Sequence, residues 1–341
     1  MVPALAVADA LRASGAEVRF VGGERAERTL VPEAGYPLDT LAVEGLARRD
    51  PVAAARAAAK ALRAVLRSVG LLRALRPDAV LGGGGYVAGP VGLAAVLLGI
   101  PLVLTEADSH LGLTNRLLAP FARRVCLAFS LPGRDGQRYR VTGRPVPPPD
   151  ADREASRAAF GLGDEDTCVL VFGGSLGARS INEAAVEAFR DAPFAVLHAC
   201  GVRDYDDLAA RLGEPPPPRY DLRPYITPFG PALAASDLVV ARAGGSIFEV
   251  CAYGRPALLV PYPHATADHQ AANARWMADG GAAVVVPDEE LTPERLAHEV
   301  GALLHDRPRL AAMARASAAL ARPDAAREVA DEVRHAAGAP G

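Results

Sequence analysis

Three glycine-rich segments of the chain each follow a short apolar run and lead into a helical pattern. The clearest is VLVFGGSLGARSINEA, in which Gly174, Ser175 and Gly177 separate the run ending at Phe172 from the next helix. Glycines let a ligand approach the backbone, and the first N–H groups of a helix favour phosphate. The spacing matches neither GxGxxG nor GxxxxGK[ST], so it predicts neither a dinucleotide site nor a Walker-type NTPase. A tight strand-to-helix turn without a ligand is the alternative.

The other two glycine segments are LGGGGYVAGPVGLAA, at residues 81–95, and ARAGGSIFEVCAYG, at residues 241–254. Four consecutive glycines remove all side-chain bulk, which indicates either a close ligand or tight packing. In the later segment Gly244 precedes a helix that carries Glu249. That carboxylate either complements the helix dipole or accepts hydrogen bonds from a ribose diol, and the sequence alone leaves both open.

Two polar segments contain His or Asp residues that could bind a metal ion, but we do not predict a metal site in either. PYPHATADHQAANARWM contains His264 and His269, which are five residues apart, a poor spacing for two ligands on one helical face. We expect a polar, substrate-facing loop there instead. The acidic residues that begin at Asp204 precede an apolar helical pattern, and we interpret them as acids at a helix N-terminus.

Composition narrows the class of protein. The net charge is -3 over 341 residues, which argues against a dedicated nucleic-acid binder. The four cysteines form no CxxC pair, so we expect neither a zinc site nor a disulfide framework, but buried thiols of a reducing compartment; they are Cys126, Cys168, Cys200 and Cys251. No apolar run is long enough to span a membrane and no signal peptide is evident, so the sequence predicts a cytoplasmic protein.

Beyond these loops, short apolar runs alternate with helical patterns along the whole chain. This alternation predicts an α/β protein with parallel sheets covered by helices on both faces. The nine predicted strands are 18–21, 79–81, 102–104, 124–128, 168–172, 195–199, 238–241, 257–260 and 283–286. The segment VTGRPVPPPD lies between two such sets of strands and helices, and we predict that it is a proline-rich linker. We therefore predict two doubly wound domains, at residues 1–146 and 147–322.

The first helix, in MVPALAVADALRASGAEVRFVGG, has apolar residues at helical spacing and a cap at Gly15. No Ser, Thr, Asp or Asn caps its start, and no strand precedes it, although a parallel α/β unit normally begins with one. Further along, residues 51–77 hold six basic and no acidic residues, with Arg56, Lys60, Arg63 and Arg67 on one helical face. This helix either rests on an anionic bilayer or is an ordinary amphipathic surface helix.

Taken together, these segments resemble the MurG-type family of glycosyltransferase family 28, which transfers N-acetylglucosamine from UDP to a lipid-linked muramoyl-pentapeptide. The resemblance runs from Met1 to the last helix. It rests on VPALAVADAL, GGGGYVAGPVGLAA, GIPLVLTEADSHLGLTNRLLA, VFGGSLGARSIN, the loop with Glu249, and DHQAANA. It implies a GT-B fold of two Rossmann-like domains facing a central cleft, with residues 323–341 forming a helix that packs back on the first domain.

The resemblance also implies site residues and partners. In the second domain, donor UDP-N-acetylglucosamine would contact Gly174, Ser175, Gly177, Ile226, Gly244, Glu249 and Gln270. Ser175 would bind the diphosphate, Glu249 the ribose and Gln270 the sugar hydroxyls. In the first domain, the undecaprenyl-linked acceptor would lie near Gly85, Tyr86, Asp108 and Asn115. No metal or cofactor is implied, and the enzyme would act as an inverting hexosyltransferase in peptidoglycan synthesis, peripheral to the cytoplasmic face of the membrane.

The sequence departs from the family pattern at several positions. The family commonly has Gln-Asn where this chain has Ala107 and Asp108. In the linker, Arg144 and Pro147 stand where the family has Asn and Arg. Leu176 stands where the family usually has glutamine. These changes leave open a transferase for another lipid or natural product, a UDP-N-acetylglucosamine epimerase or hydrolase, and a truncated binder without catalysis.

The general base is also open. Family members begin with a strand and a glycine loop ending in the histidine usually proposed as base, and that segment would precede Met1. Within the chain, Glu106, Asp108 and His110 are the candidates. We expect the 341-residue form to be inactive and unstable, and upstream residues to restore both properties.

Overall fold

The computed structural model describes residues 1–23, 27–41, 51–149, 152–174, 178–265 and 268–338, without the side chains of residues 51–59. The chain divides into two compact units. Unit 1 comprises Met1–Pro147 and Arg322–Gly341, and unit 2 comprises Pro148–Ala321. Each is an α/β unit with parallel strands, as the alternation of apolar runs and helical patterns predicts.

The strands of unit 1 form two separate parallel arrays. The first pairs β1 (Phe20–Gly22) with β2 (Leu38–Thr40). The second is a four-stranded sheet in the order β3 (Val80–Gly82), β4 (Leu102–Glu106), β5 (Arg124–Leu127) and β6 (Tyr139–Val141). Among the described residues, β1 and β3 each have a strand neighbour on one side only.

The helices of unit 1 cover these strands and are α1 (Val2–Ala13), α2 (Glu27–Glu33), α3 (Pro51–Leu75), α4 (Gly85–Leu97), α5 (Leu113–Leu118) and α14 (Ala325–Ala336), with a 3-10 turn at Ala119–Phe121. The start of α1 has no side-chain cap. At its end, Gly15 adopts φ +86° and donates its N–H to the Arg12 carbonyl, which is the predicted glycine termination.

Helix α14 follows unit 2 in the chain but packs in unit 1. Its Val329 and Val333 join the core formed by Val7 of α1 and Val103 of β4. At its outer side Glu332 accepts hydrogen bonds from Arg124 at 2.6 Å and from Arg140 at 2.7 Å. The last helix is therefore fixed to the sheet of unit 1 by apolar contacts and by paired charges.

Unit 2 contains one six-stranded parallel sheet. In chain order its strands are β7 (Cys168–Phe172), β8 (Ala195–Ala199), β9 (Tyr220–Arg223), β10 (Leu238–Ala241), β11 (Ala257–Leu259) and β12 (Ala283–Val285), and their spatial order is β12-β11-β10-β7-β8-β9. The helices are α6 (Arg153–Ala159), α7 (Arg179–Phe189), α8 (Val202–Leu212), α9 (Gly230–Ala235), α10 (Ile247–Ala252), α11 (His269–Asp279), α12 (Pro293–His305) and α13 (Arg307–Leu320).

All nine predicted strands are present, with ends that shift by at most two residues. The sequence prediction was incomplete, however, because it missed β2, β6 and β9. All four cysteines are free and buried, as predicted. Burial raises the pKa of Cys126, Cys168 and Cys251 to about 12 and that of Cys200 to about 11.

Candidate functional site

The strand order of unit 2 locates a ligand crevice. The chain places β8 and β9 on one side of β7 and β10, β11 and β12 on the other, so the order reverses between β7 and β10. In open parallel sheets, ligands bind beyond the carboxyl ends of the strands at such a switch point. The loops that follow β7 and β10 are the two glycine loops that carry Gly174 and Gly244.

Both of these loops leave room at the backbone. Gly174 adopts φ +89°, which favours glycine, and a Cβ added at Gly174 or at Gly244 would meet no atom within 4 Å. Ser175, Leu176 and Gly177 lie outside the described residues. After them α7 begins at Arg179 and runs for 11 residues, so its first N–H groups follow directly on the glycine loop.

Arg242 ties together the segments around this switch point. Its side chain, directly after β10, donates to the carbonyls of Val260 and Pro261 at 3.1 and 3.3 Å. It also donates to Asp288 Oδ1 at 2.6 Å and to Ser180 Oγ at 2.8 Å. One guanidinium thus joins the loop after β11, the first turn of α7 and the segment after β12. Only the fork of an arginine offers enough donors for such an arrangement.

Helix α11 is hydrogen-bonded to the segments that follow β10 and β11. Asn273 is 2% exposed and donates its Nδ2 to the carbonyl of Ala243, beside the second glycine loop. Gln270 accepts a hydrogen bond from the N–H of Tyr262 at 3.0 Å. The predicted polar loop around Gln270 is therefore fixed to the carboxyl edge of the sheet.

The remaining two donor-side candidates also lie after strands of this sheet. Glu249 is half-buried in the first turn of α10. Ile226 is 7% exposed and follows β9. Three residues further on, Phe229 packs edge-on against Phe172, the last residue of β7, with centroids 4.9 Å apart. The segment after β9 therefore turns back over the end of β7.

A buried polar network joins α7, the helix after the first glycine loop, to β8 and α8. Asn182 of α7 donates its Nδ2 to the Cys200 carbonyl and to Asp204 Oδ2, so its Oδ1 faces His198 Nε2 at 3.0 Å. His198 Nε2 must then carry the proton, and Nδ1 accepts from the Tyr220 hydroxyl at 2.8 Å. Burial lowers the pKa of His198 to about 3, so the imidazole is neutral.

Asp204 completes this network and confirms its predicted place at a helix N-terminus. It does lie in the first turn of α8, as expected for an acid at a helix N-terminus, but it is only 4% exposed. A hydrogen bond from Arg203 is the largest of the contacts that lower the pKa of its carboxyl group. Asp204 therefore links α8 to Asn182 of α7, rather than serving only the helix dipole.

In unit 1, the acceptor-side candidates meet after β3 and β4. Glu106 ends β4 and is 8% exposed. Its Oε2 accepts from the N–H of Gly112 at 2.8 Å and from Asn115 Nδ2 at 2.9 Å, and its Oε1 accepts from the N–H of Asp108 at 3.2 Å. Asn115 is 1% exposed and also donates to the Thr105 carbonyl. Glu106 and Asn115 thus hold the 107–112 loop closed on the end of β4.

The glycine loop of unit 1 lies beside this network. A Cβ at Gly84 would come 3.6 Å from Asn115 Nδ2, and Thr114 donates its hydroxyl to the Gly85 carbonyl at 3.2 Å. Tyr86 is 63% exposed. Asp108 and His110 are half-buried on the 107–112 loop, and His110 Nδ1 is a buried atom without a hydrogen-bond partner in the described part of the chain.

Sequence reasoning missed several residues that shape the site. Arg242, Ser180 and Asp288 were not singled out, and neither were Asn182 and His198. Arg242 had a usable signal, because a charged residue directly after four apolar strand residues is expected to find partners at the sheet edge. His198 had none, because its partners lie 16 and 22 residues away in the chain.

The described residues contain no group of three or more His, Cys, Asp or Glu side chains arranged to hold a metal ion. No helix among them is both long enough and apolar enough to cross a membrane.

Two doubly wound α/β units, each with its candidate residues on loops after parallel strands, define the GT-B class of glycosyltransferase folds. The chain belongs to glycosyltransferase family 28. Residues 1–127 match the N-terminal domain of that family, and residues 168–329 match its C-terminal domain.

Relatives of known name cover nearly the whole chain. The UDP-N-acetylglucosamine–N-acetylmuramyl-(pentapeptide) pyrophosphoryl-undecaprenol N-acetylglucosamine transferase of Moorella thermoacetica is 43% identical over 95% of this chain and 92% of its own length. The transferase of the same name from Rubrobacter xylanophilus is 43% identical over 96% of this chain and 97% of its own length.

Solved structures agree with this placement. The crystal structure of Acinetobacter baumannii MurG is 32% identical and has a TM-score of 0.76, covering 98% of this chain and 95% of its own. A UDP-GlcNAc 2-epimerase from Neisseria meningitidis has a TM-score of 0.69 over 98% of this chain and 96% of its own, but is only 14% identical. The second likeness therefore shows the shared fold alone.

Proposed function

We propose that the protein transfers N-acetylglucosamine from UDP-N-acetylglucosamine to the 4-hydroxyl of undecaprenyl-pyrophosphoryl-N-acetylmuramoyl-pentapeptide, with inversion at the anomeric carbon. The observation that carries the proposal is the 43% identity, over 95% of the chain, to a relative named for this reaction. The two sets of loop residues, one in each unit, would bind the donor and the acceptor of such a reaction.

Unit 2 would bind the donor. The open backbone at Gly174 and Gly244 admits the diphosphate, and the N-terminus of α7 offsets the charge that develops on departing UDP. Glu249 would accept hydrogen bonds from the ribose hydroxyls, and Ile226 would pack beside the uracil. Gln270, held by Tyr262, would contact the sugar hydroxyls.

Unit 1 would bind the acceptor sugar and activate its hydroxyl. Both carboxylate oxygens of Glu106 accept hydrogen bonds from the 107–112 loop, which suits a positioning role better than proton abstraction. Asp108 and His110 stand on that loop and are, with Glu106, the candidates for general base within the chain. Asp108→Asn and His110→Asn test the two loop residues separately, because loss of a general base lowers kcat by about 100-fold or more. Since asparagine is the usual family residue at position 108, an unchanged kcat in Asp108→Asn assigns proton removal to another group.

A surface of unit 1 would hold the enzyme on the membrane. Helices α3, α4 and α5 pack in succession, and each exposes two leucines one turn apart. These are Leu62 and Leu66, Leu93 and Leu97, and Leu113 and Leu117, with Phe121 just beyond. Arg63, Arg67 and Arg116 are exposed beside them. Apolar side chains bordered by arginines suit the cytoplasmic face of an anionic bilayer.

UDP release from UDP-N-acetylglucosamine tests the proposed function. We would measure it with and without an undecaprenyl-linked muramoyl-pentapeptide analogue, using this chain and the same chain extended upstream. Acceptor-dependent release accompanied by the disaccharide product supports the proposal. Release that needs no acceptor, formation of an epimer of the donor, or no acceptor-dependent release from either form overturns it.

A further inference from the structure

Three arginines and one aspartate lie together at the amino ends of the strands of unit 2. They are Arg153 and Arg157 of α6, Asp237 directly before β10, and Arg255 shortly before β11. The parallel register of β10 and β11, extended back by two residues, places Arg255 beside Asp237. We call these four residues the amino-edge cluster. The two glycine loops of unit 2 follow the opposite, carboxyl ends of strands in the same sheet.

Asp237 is fully engaged within this cluster. Its Oδ1 accepts a hydrogen bond from Arg153 Nη2 at 2.6 Å, and its Oδ2 accepts from the N–H of Cys168 at 2.8 Å. Arg157 Nη1 lies 3.6 Å from the same Oδ2. One carboxylate thus faces two guanidiniums and a backbone amide, so its negative charge is already compensated without Arg255.

Arg153 and Arg157 also hold the end of α9. Arg153 Nη1 donates to the carbonyls of Ala234 and Ser236 at 2.8 and 2.9 Å, and Arg157 Nη1 donates to that of Ala235 at 3.0 Å. Carbonyls at the end of a helix attract cations, which explains these contacts. Together with Asp237, they use three of the five N–H groups of Arg153, whose side chain is 40% exposed.

Arg255 has no comparable partners. Its side chain forms no hydrogen bond or ion pair in the described part of the chain, although its Nε is a buried atom. Burial, and then repulsion by Arg153, lower the pKa of Arg255 to about 10. A half-buried cation beside other cations is costly unless an anion or an acceptor compensates it. The guanidinium of Arg255 is therefore the open part of the cluster.

We propose that the amino-edge cluster binds a phosphate group, either the free ion or a small phosphate monoester, through the guanidinium of Arg255 and the two remaining N–H groups of Arg153. The planar fork of arginine matches two phosphate oxygens at once, and such charge-assisted hydrogen bonds are strong. A dianion would also offset the repulsion between arginines that Asp237 alone leaves in place. Because the cluster and the glycine loops lie at opposite edges of the sheet, this is a second anion site in unit 2.

Arginine side-chain NMR on the full chain tests the site. The Nε–H signal of Arg255 is assigned by its absence in the Arg255→Lys protein. It is then followed during titration with sodium phosphate and with glycerol 3-phosphate, at constant ionic strength. We expect a saturable shift with phosphate and none with sodium chloride. A saturable shift with both phosphates shows that monoesters bind as well as the ion, and a shift with sodium phosphate alone restricts the site to the ion.

Urea unfolding gives an independent measurement. A ligand that binds only the folded state raises the folding equilibrium constant by 1 + [L]/Kd, which is about 100-fold at 100 times Kd. We expect this rise with phosphate in the unaltered protein, and a rise at least about tenfold smaller in Arg255→Gln, which lacks the charged fork. Arg295→Gln alters an arginine of α12 in the same unit and is the matched control. It should respond to phosphate as the unaltered protein does.

Stability without phosphate separates a binding role from a structural one. Because Arg255→Gln removes an unpaired and repelled cation, we expect it to be at least as stable as Arg295→Gln in phosphate-free buffer. A greater loss than in Arg295→Gln, including failure to fold, would show that Arg255 has a partner within the protein and overturns the proposal.

Two further outcomes overturn the proposal. One is an Arg255 signal that does not shift with either phosphate or shifts equally with chloride. The other is an equal rise in stability with phosphate in Arg255→Gln and Arg295→Gln, which would place the bound ion elsewhere, for example at the glycine loops. Neither measurement uses a sugar nucleotide, so the outcome is independent of the proposed transferase activity.

Discussion

The guanidinium of Arg242 and the carboxylate of Asp288 are 2.6 Å apart, and Ser180 donates to the same carboxylate oxygen at 2.7 Å. The Arg242 side chain is 10% exposed. This pair joins the strand that precedes the second glycine loop to the first turn of the helix that follows the first glycine loop. This ion pair therefore adds a side-chain link between the segments next to the two loops, beyond the pairing of β10 with β7.

Replacing Arg242 by glutamine should loosen this arrangement. We expect the variant to lose about 2 to 3 kcal/mol of unfolding free energy. Removing a charged donor costs about this much when its buried partners are left without hydrogen bonds. The KM for UDP-N-acetylglucosamine should rise more than kcat falls, because the loops that hold the diphosphate move apart. Urea unfolding, and steady-state kinetics of the chain extended upstream, measure the two effects.

Arg295→Gln is the matched control for Arg242→Gln. Arg295 pairs with Glu290 at 2.8 Å, but both side chains are more than 40% exposed, so the loss should stay below about 1 kcal/mol. Equal losses in the two variants would show that the Arg242 ion pair has no special role.

Replacing Glu106 by glutamine tests its positioning role. The new amide nitrogen would face the N–H of either Gly112 or Asp108, so one of the present hydrogen bonds becomes a repulsive contact. In the chain extended upstream we expect kcat to fall by up to about 100-fold, the effect of displacing a reacting group by about 1 Å. The amides of the 107–112 loop should exchange faster, while the pH dependence of kcat keeps its shape.

The exposed Glu33→Gln variant should behave as the unaltered protein in both measurements. If Glu106→Gln instead abolishes the acidic limb of the pH profile and leaves loop exchange unchanged, Glu106 is the base and not a positioning residue.

The limits of sequence prediction appear in the strands that were missed. β6 and β9 are outer strands of their sheets, and β2 flanks β1. Central parallel strands are buried on both faces and read as continuous apolar runs, as in Cys168–Phe172. The outer strand Tyr220–Arg223 contains Asp221 and follows four prolines, so its sequence resembles a loop. Pairing on one edge, not composition, makes it a strand.

The candidate site shows the same division. The glycine loops can be predicted, because glycines that follow an apolar run are visible in the sequence. The residues that hold those loops cannot be predicted in this way. Arg242 and Asp288 are 46 positions apart and become partners only when β10 and β12 lie in one sheet.

The apolar and basic surface of α3, α4 and α5 should bind anionic vesicles. Changing Leu66 and Leu117 to aspartate adds two negative charges and removes two apolar side chains, each more than 60% exposed. We expect binding to phosphatidylglycerol vesicles to fall at least about 100-fold, and Arg63→Ala alone to weaken it about fivefold at low salt. Leu30→Asp, which alters an exposed leucine of α2, is the control and should bind as before. Equal binding by the double variant and the Leu30 control would show that this surface does not bind the membrane.

His198 should make the stability of unit 2 depend on pH. Its pKa is about 3 in the folded protein and about 6.5 when exposed to water, so between these values only the unfolded state takes up the proton. Stability is therefore fully present above pH 6.5 and falls as the pH drops toward 3, by up to about 1.4 kcal/mol per pH unit. Urea unfolding at pH 7.5, 6.0 and 5.0 measures this slope.

Two variants separate the titration of His198 from the hydrogen bonds around it. His198→Gln removes the titrating group and should give a shallower slope by up to about 1.4 kcal/mol per pH unit, although it is less stable at pH 7.5. Tyr220→Phe removes the hydroxyl that donates to Nδ1 but leaves the imidazole buried, so it should be destabilised at every pH and keep the steep slope. A His198→Gln protein that loses stability with acid as steeply as the Tyr220→Phe protein would show that another group supplies the pH dependence.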